Sequence, residues 1–111
     1  MHEMSIAETI IQIIREESNS KIVKEVYLKI SKLDQIIADS LVFYFDIIKK
    51  EYENLKNSEL FIESLPLIGK CIQCKTLYSI EDPLFLCSTC NKGLEIIKGK
   101  ETFIDKIIIQ D

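Results

Sequence analysis

The 111-residue chain has no tryptophan, a single histidine (His2), a single arginine (Arg15), three glycines and two prolines. Its three scattered glycines, Gly69, Gly93 and Gly99, cannot form a glycine-rich phosphate loop, which excludes nucleotide binding by that route. With His2 the sole histidine, Ser5 has no second histidine to activate it, so no hydrolase triad is available. All but one of the 14 basic residues are lysine, and they are outnumbered by 18 acidic residues, for a formal net charge of −4. Nucleic-acid binders present a basic stripe in which arginine makes bidentate contacts, so nucleic acid is not an expected partner. No stretch approaches the roughly 18–20 apolar residues of a membrane-spanning helix, and a membrane is not an expected partner either. The opening Met1-His2-Glu3-Met4-Ser5 lacks a basic n-region of the secretory type, which points to the cytoplasm.

What is present is a chain 47% hydrophobic and 29% charged, apolar enough to fold and too charged for lipid. Ile6, Ile10, Ile13 and Ile14, with Ala7 and Ile11, recur at helical spacing, and a first helix is expected over Ser5–Glu17. Lys21–Ile30 alternates, with Val26, Leu28 and Ile30 on one side, as a strand covered mainly on one face does. After a connection over 31–37, a second helix capped by Asp39 or Ser40 carries the stripe Leu41, Tyr44, Phe45, Ile48 and Tyr52. Glu59–Leu65 alternates again, Pro66–Gly69 reads as a hinge, and Thr102–Gln110 reads as a third strand returning to the first sheet. The expected fold is α+β: two helices packed on a three-stranded sheet, with an inserted zinc-ribbon module. Residues 1–68 plus 100–111 would form the first domain and 69–99 the ribbon. Monomer and dimer both remain open, since the isoleucine-rich last strand could pair across chains.

All four cysteines, Cys71, Cys74, Cys87 and Cys90, fall in two Cys-x-x-Cys pairs separated by residues 75–86. In a reducing compartment such clustering argues for metal rather than disulfides. Two tight turns, each aiming two sulfurs at one point, complete a tetrahedron that soft thiolates offer to Zn(II) or, in the rubredoxin manner, to iron. The interval between the pairs is strand-like, with a turn at Asp82-Pro83. Some thirty residues bury too little apolar surface to fold alone, so the metal would supply much of the folding energy. Catalytic zinc keeps an open position and uses histidine or carboxylate, and no histidine lies nearby. Bound as four thiolates, one zinc would take the net charge to about −6.

A lone histidine near a terminus is ordinarily a solvated side chain. His2 also has a chemical reading. The Met1 amine, the His2 amide nitrogen and the His2 imidazole form a nearly planar three-nitrogen set, and square-planar nitrogen ligation suits Ni(II) or Cu(II). Glu3 is an oxygen donor to the same metal, a partner of the imidazole, or simply a first-turn acid facing the helix dipole.

Met1-His2-Glu3-Met4-Ser5 opening a helix, together with the two Cys-x-x-Cys pairs twelve residues apart, resembles the HypA/HybF family of hydrogenase nickel-incorporation proteins. Ile30–Leu33, Asp34–Phe45 and the run Asp82–Cys87 are similar to that family as well. The resemblance implies a nickel metallochaperone for [NiFe] hydrogenase maturation that also serves urease in some bacteria, and not an enzyme. It implies nickel at His2 with the Met1 amine and Glu3 as auxiliary ligand. It implies structural zinc at Cys71, Cys74, Cys87 and Cys90, with a HypB-type GTPase and the hydrogenase large-subunit precursor as partners. Where the family has Gly-Glu and then Ser-Gly after the first strand, this chain has Ser31-Lys32 and Asp34-Gln35. The lost glycines alter the turn, and lysine reverses a charge on a partner surface.

Other groupings carry less. Glu16-Glu17 and Glu51/Glu53 are paired acids on polar faces without a nucleophile, and solvated surface explains them. The competing functional reading is a zinc-ribbon interaction or regulatory module in which the amino terminus plays no part. A third reading, a redox enzyme using the thiols, would not need two identical pairs.

Overall fold

The computed structural model describes residues 3–80 and 86–110. In chain order it contains α1 (Glu3–Ser18), β1 (Val23–Ile30), a 3-10 turn (Lys32–Asp34), α2 (Ala38–Ile48) extended by a 3-10 turn (Lys49–Glu51), β2 (Glu59–Ser64), β3 (Ile68–Cys71), β4 (Leu77–Ser79), β5 (Leu94–Lys98) and β6 (Phe103–Ile109). The strands form two three-stranded sheets, β2-β1-β6 and β4-β3-β5.

The first sheet takes its topology from connection length. β1 and β2 are joined through α2 and run parallel, whereas β6 returns antiparallel on the other side of β1. β1 is central and its inward side chains are buried: Val23, Val26, Leu28 and Ile30. Both helices cover that face. Ala7, Ile10, Ile11 and Ile14 of α1 meet Leu41 and Phe45 of α2 over Val26, Leu28 and Leu60, with Leu55 closing one end. As expected, two helices pack on a three-stranded sheet, and the cysteine-bearing strands lie between β2 and β6 in sequence. α1 runs back along β1, and the two are well matched in length, at about 24 and 26 Å. Consequently β1 and β2 end, and α1 and β6 begin, at the same edge of this layer.

Three local expectations are corrected. Neither Asp39 nor Ser40 caps α2: the N-cap is Ile37, which has no side-chain acceptor of its own. Its amide instead donates to Glu3 Oε2 at 3.2 Å, so a carboxylate from α1 does for α2 what a capping-box glutamate does within one helix. Tyr52 lies past the helical turns, in extended conformation, where its ring stacks under Arg15 at 4.1 Å. Ile68 and Gly69, read as part of a hinge, belong to β3. A side chain on Gly69 would meet Ile80 Cδ1 at 2.8 Å and Leu94 Cβ at 3.1 Å, so glycine is needed for β3 to pass between its neighbours.

The isoleucines of β6 are spaced irregularly because the strand is bulged. Tyr27 pairs with Lys106 and Leu28 with Ile104, which leaves Asp105 extra and turns both Ile104 and Ile107 toward the helices. A bulge bearing Asp105 and Lys106 also blunts this sheet edge against pairing with another strand. Among the described residues no helix is long and apolar enough to cross a membrane.

Candidate metal centre

The second sheet exists to bring two turns together. Cys71 ends β3, and the chain reverses at once. The Lys75 amide donates to the Cys71 carbonyl at 3.0 Å, the Cys71 amide to the Thr76 carbonyl at 2.9 Å, and the Cys74 amide to Cys71 Sγ at 3.4 Å. The second pair repeats the pattern. The Asn91 amide donates to the Cys87 carbonyl at 2.9 Å, the Cys87 amide to the Lys92 carbonyl at 2.8 Å, and the Cys90 amide to Cys87 Sγ at 3.4 Å. Lys75 and Asn91 close the two turns in left-handed conformation, with φ of 66° and 55°. Such a turn leaves both of its sulfurs on one side with an N–H already aimed at the first.

The four Sγ atoms of Cys71, Cys74, Cys87 and Cys90 lie within 4.8 Å of one another, and Cys74 Sγ is 3.7 Å from Cys87 Sγ. Four sulfurs about 2.3 Å from one metal in tetrahedral array stand about 3.8 Å apart, so the cluster fits a four-thiolate zinc site with little adjustment. Cys71 and Cys87 are buried, Cys90 is half-buried and Cys74 is exposed. Among the described residues no carboxylate or histidine joins them, so all four positions of a tetrahedral ion would be filled by thiolates, the mark of a structural rather than a catalytic site.

Charge within the cluster is unevenly arranged. The Tyr78 hydroxyl lies 3.1 Å from Cys87 Sγ and, with the Cys90 amide, holds the Cys87 thiol down at about 6. Thr76 Oγ1, 3.1 Å from Cys74 Sγ, likewise lowers Cys74 below the ordinary thiol range. Cys90 moves the other way, to about 12, because it hydrogen-bonds with Cys74 and is partly desolvated. At neutral pH without metal, the cluster thus holds a thiolate at Cys87 and a proton on Cys90. Tyr78 and Thr76 were not singled out from the sequence, since neither is a metal ligand by type. The nearest signal is that Tyr78 is in β4, opposite Gly69, inside the interval between the two pairs.

The other candidate ligands lie at the start of α1. Met1 and His2 are outside the described residues, as is the Asp82-Pro83 turn. Glu3 opens α1 and is tied to Ile37, which joins the first turn of α1 to the first turn of α2. The acids Glu16, Glu17, Glu51 and Glu53 are exposed and belong to no cluster that could hold a metal among the described residues.

Residues 1–109 match the family model described as "Hydrogenase/urease nickel incorporation, metallochaperone, hypA". Similar curated proteins include the hydrogenase maturation factor HypA of Trichodesmium erythraeum, 34% identical over 112 residues that cover 100% of this chain and 97% of that one. The factor of the same name from Desulfatibacillum aliphaticivorans is 39% identical over 116 residues, covering 100% and 88%. Among solved structures, the Ni metallochaperone HypA from Helicobacter pylori superposes with a TM-score of 0.70 at 20% identity, covering 98% of this chain and 97% of that one, a likeness of fold. By its sequence across nearly its whole length, this chain belongs to the HypA family of hydrogenase and urease nickel-incorporation metallochaperones.

Proposed function

We propose that this protein carries Ni(II) to the assembly of [NiFe] hydrogenase, with urease a second recipient, and that it works by binding and transfer rather than as an enzyme. The family match over residues 1–109 carries this reading. Nickel is the cargo, held by the His2 imidazole, the His2 amide nitrogen and the Met1 amine where that amine is free, a donor set that suits square-planar Ni(II). Glu3 serves as auxiliary ligand. Its bond to the Ile37 amide holds the first turn of α1 against α2, which keeps the site on a fixed base. Ligands at a chain end exchange without unfolding the core, as a protein that must release its metal requires. Because amine and imidazole must lose protons to bind, nickel affinity falls as pH drops.

Cys71, Cys74, Cys87 and Cys90 hold a resident Zn(II) that secures the ribbon of residues 69–99, beside a nickel-binding domain of 1–68 plus 100–111. The partners in this reading are a HypB-type GTPase and the hydrogenase large-subunit precursor, in the cytoplasm.

The test is metal analysis and calorimetric titration of zinc-loaded protein with its native amino terminus. Uptake of Ni(II) at neutral pH is expected, and loss of that uptake in His2→Ala with zinc and helical content retained. Normal uptake by His2→Ala overturns the site. No uptake by the untagged wild type overturns the carrier role.

A further inference from the structure

The two sheets are separate hydrogen-bonded units in a molecule 55 Å long and 26 × 16 Å across, so their relative orientation is not set by strand pairing. Two stretches of chain pass between them, 65–67 leading into β3 and 99–102 leading out of β5. These passages meet at one place. Gly99, at φ +83°, lies so close to Pro66 that a Cβ there would collide with the Pro66 carbonyl oxygen.

The end of β1 is fastened to this meeting point by side chains. Ser31, 1% exposed, donates from Oγ to the Gly99 carbonyl at 2.5 Å, while the same oxygen accepts from the Leu33 amide at 3.2 Å. The Ser31 amide donates to Thr102 Oγ1 at 2.9 Å, and Thr102 Oγ1 donates onward to Asp34 Oδ2 at 2.5 Å. One network thus joins the end of β1, the 3-10 turn after it, the residue that follows β5 and the approach to β6. A glycine at 31 would have no hydroxyl to give Gly99.

We infer that Ser31, Asp34 and Thr102 form a clasp that fixes the cysteine-bearing sheet in one orientation relative to the helix-covered sheet. Asp34 and Thr102 also line the apolar groove of about 380 Å³ whose other wall starts at Ser5 and Ile6, so the clasp stands between the first turns of α1 and the end of β5. Asp34 and Thr102 are half-exposed along that groove rather than sealed in the core, which makes the clasp a joint that can be opened without breaking either sheet. The clasp does not depend on the nickel assignment.

The test uses zinc-loaded full-length protein and residual dipolar couplings measured separately for amides of the two sheets. Wild type is expected to give one alignment tensor for both. Thr102→Val keeps the side-chain shape and deletes both hydroxyl bonds. It should give two tensors, with Ser31 amide exchange faster by roughly tenfold, the opening expected when one such bond is lost. Ser31→Ala removes the Gly99 bond together with the Leu33 cap bond, leaves the Thr102–Asp34 bond in place, and carries the same test if Thr102→Val does not fold. Two tensors in wild type, or a single tensor retained in a folded variant that merely melts at lower temperature, overturn the inference.

Discussion

Replacing Tyr78 with phenylalanine removes one oxygen and keeps the ring on β4. In the wild type that hydroxyl sits 3.1 Å from Cys87 Sγ and is the largest cause of the thiol's descent to about 6. A donor of this kind around a metal ligand is worth about 10–100-fold in metal affinity, so Tyr78→Phe should bind Zn(II) more weakly by that factor. The sign with pH follows from what zinc must displace. Above pH 6 the wild-type Cys87 has already lost its proton, so it adds no pH dependence to binding near neutrality, whereas Cys90, held up at about 12, releases one throughout. Without the Tyr78 donor, Cys87 rises toward the ordinary thiol range and becomes one more proton to displace. Zinc affinity of the variant should therefore climb more steeply between pH 6 and 8. For the metal-free protein, Cys87 favours the fold above the unfolded thiol's pKa, and that contribution fades as pH falls through about 6. Competition against a chromophoric chelator across that range measures both quantities. Equal affinities within twofold at pH 7, with parallel pH slopes, would refute the assignment of Tyr78 as a support for the site.

Phe45 is fully buried between the helices and β1, and Phe45→Ala should cost about 3–5 kcal/mol in denaturant unfolding, with zinc content unchanged in whatever fraction remains folded. Gly99→Ala places a methyl group against Pro66 at a left-handed φ, so it should lower the melting temperature by more than Gly93→Ala, where a Cβ meets nothing within 4 Å. Glu3→Ala frees the Ile37 amide of its acceptor and should destabilise α2's first turn by about 1 kcal/mol, seen as faster amide exchange at Ile37 and Leu41 even in nickel-free protein. Glu3→Gln, which keeps an oxygen acceptor, should recover most of that loss.

The parts of the fold legible in the sequence are those with a local cause. The isoleucines of α1 and the alternation of β1 follow from periodicity, and each Cys-x-x-Cys pair sits on a short turn closed by its own backbone. Legibility fails where the partner is remote in sequence. Asp39 and Ser40 have the right chemistry for a cap, yet the acceptor at α2 is Glu3, thirty-four positions away on another helix. The three-residue step from Ile104 to Ile107 breaks strict alternation, and only the pairing with β1 reveals the extra residue at Asp105 that keeps both side chains inward. Tyr78 and Thr76 carry no signal until the ribbon folds and lays their hydroxyls on sulfur.

The same distinction separates the metal cluster from the joint between the two sheets. Each cysteine turn is built by local means, because it supplies its own N–H to its first sulfur and asks little of the residues between. Orientation of one sheet on another is different, because it depends on pairs such as Ser31 with Gly99 and Asp34 with Thr102, 68 residues apart in each case. A glycine at position 31 would keep the amide bond to Thr102 but lose the hydroxyl that reaches Gly99. The clasp sets how the cysteine-bearing sheet is aimed relative to the first turn of α1, and so which surfaces reach a partner together, without involving any of the four cysteines.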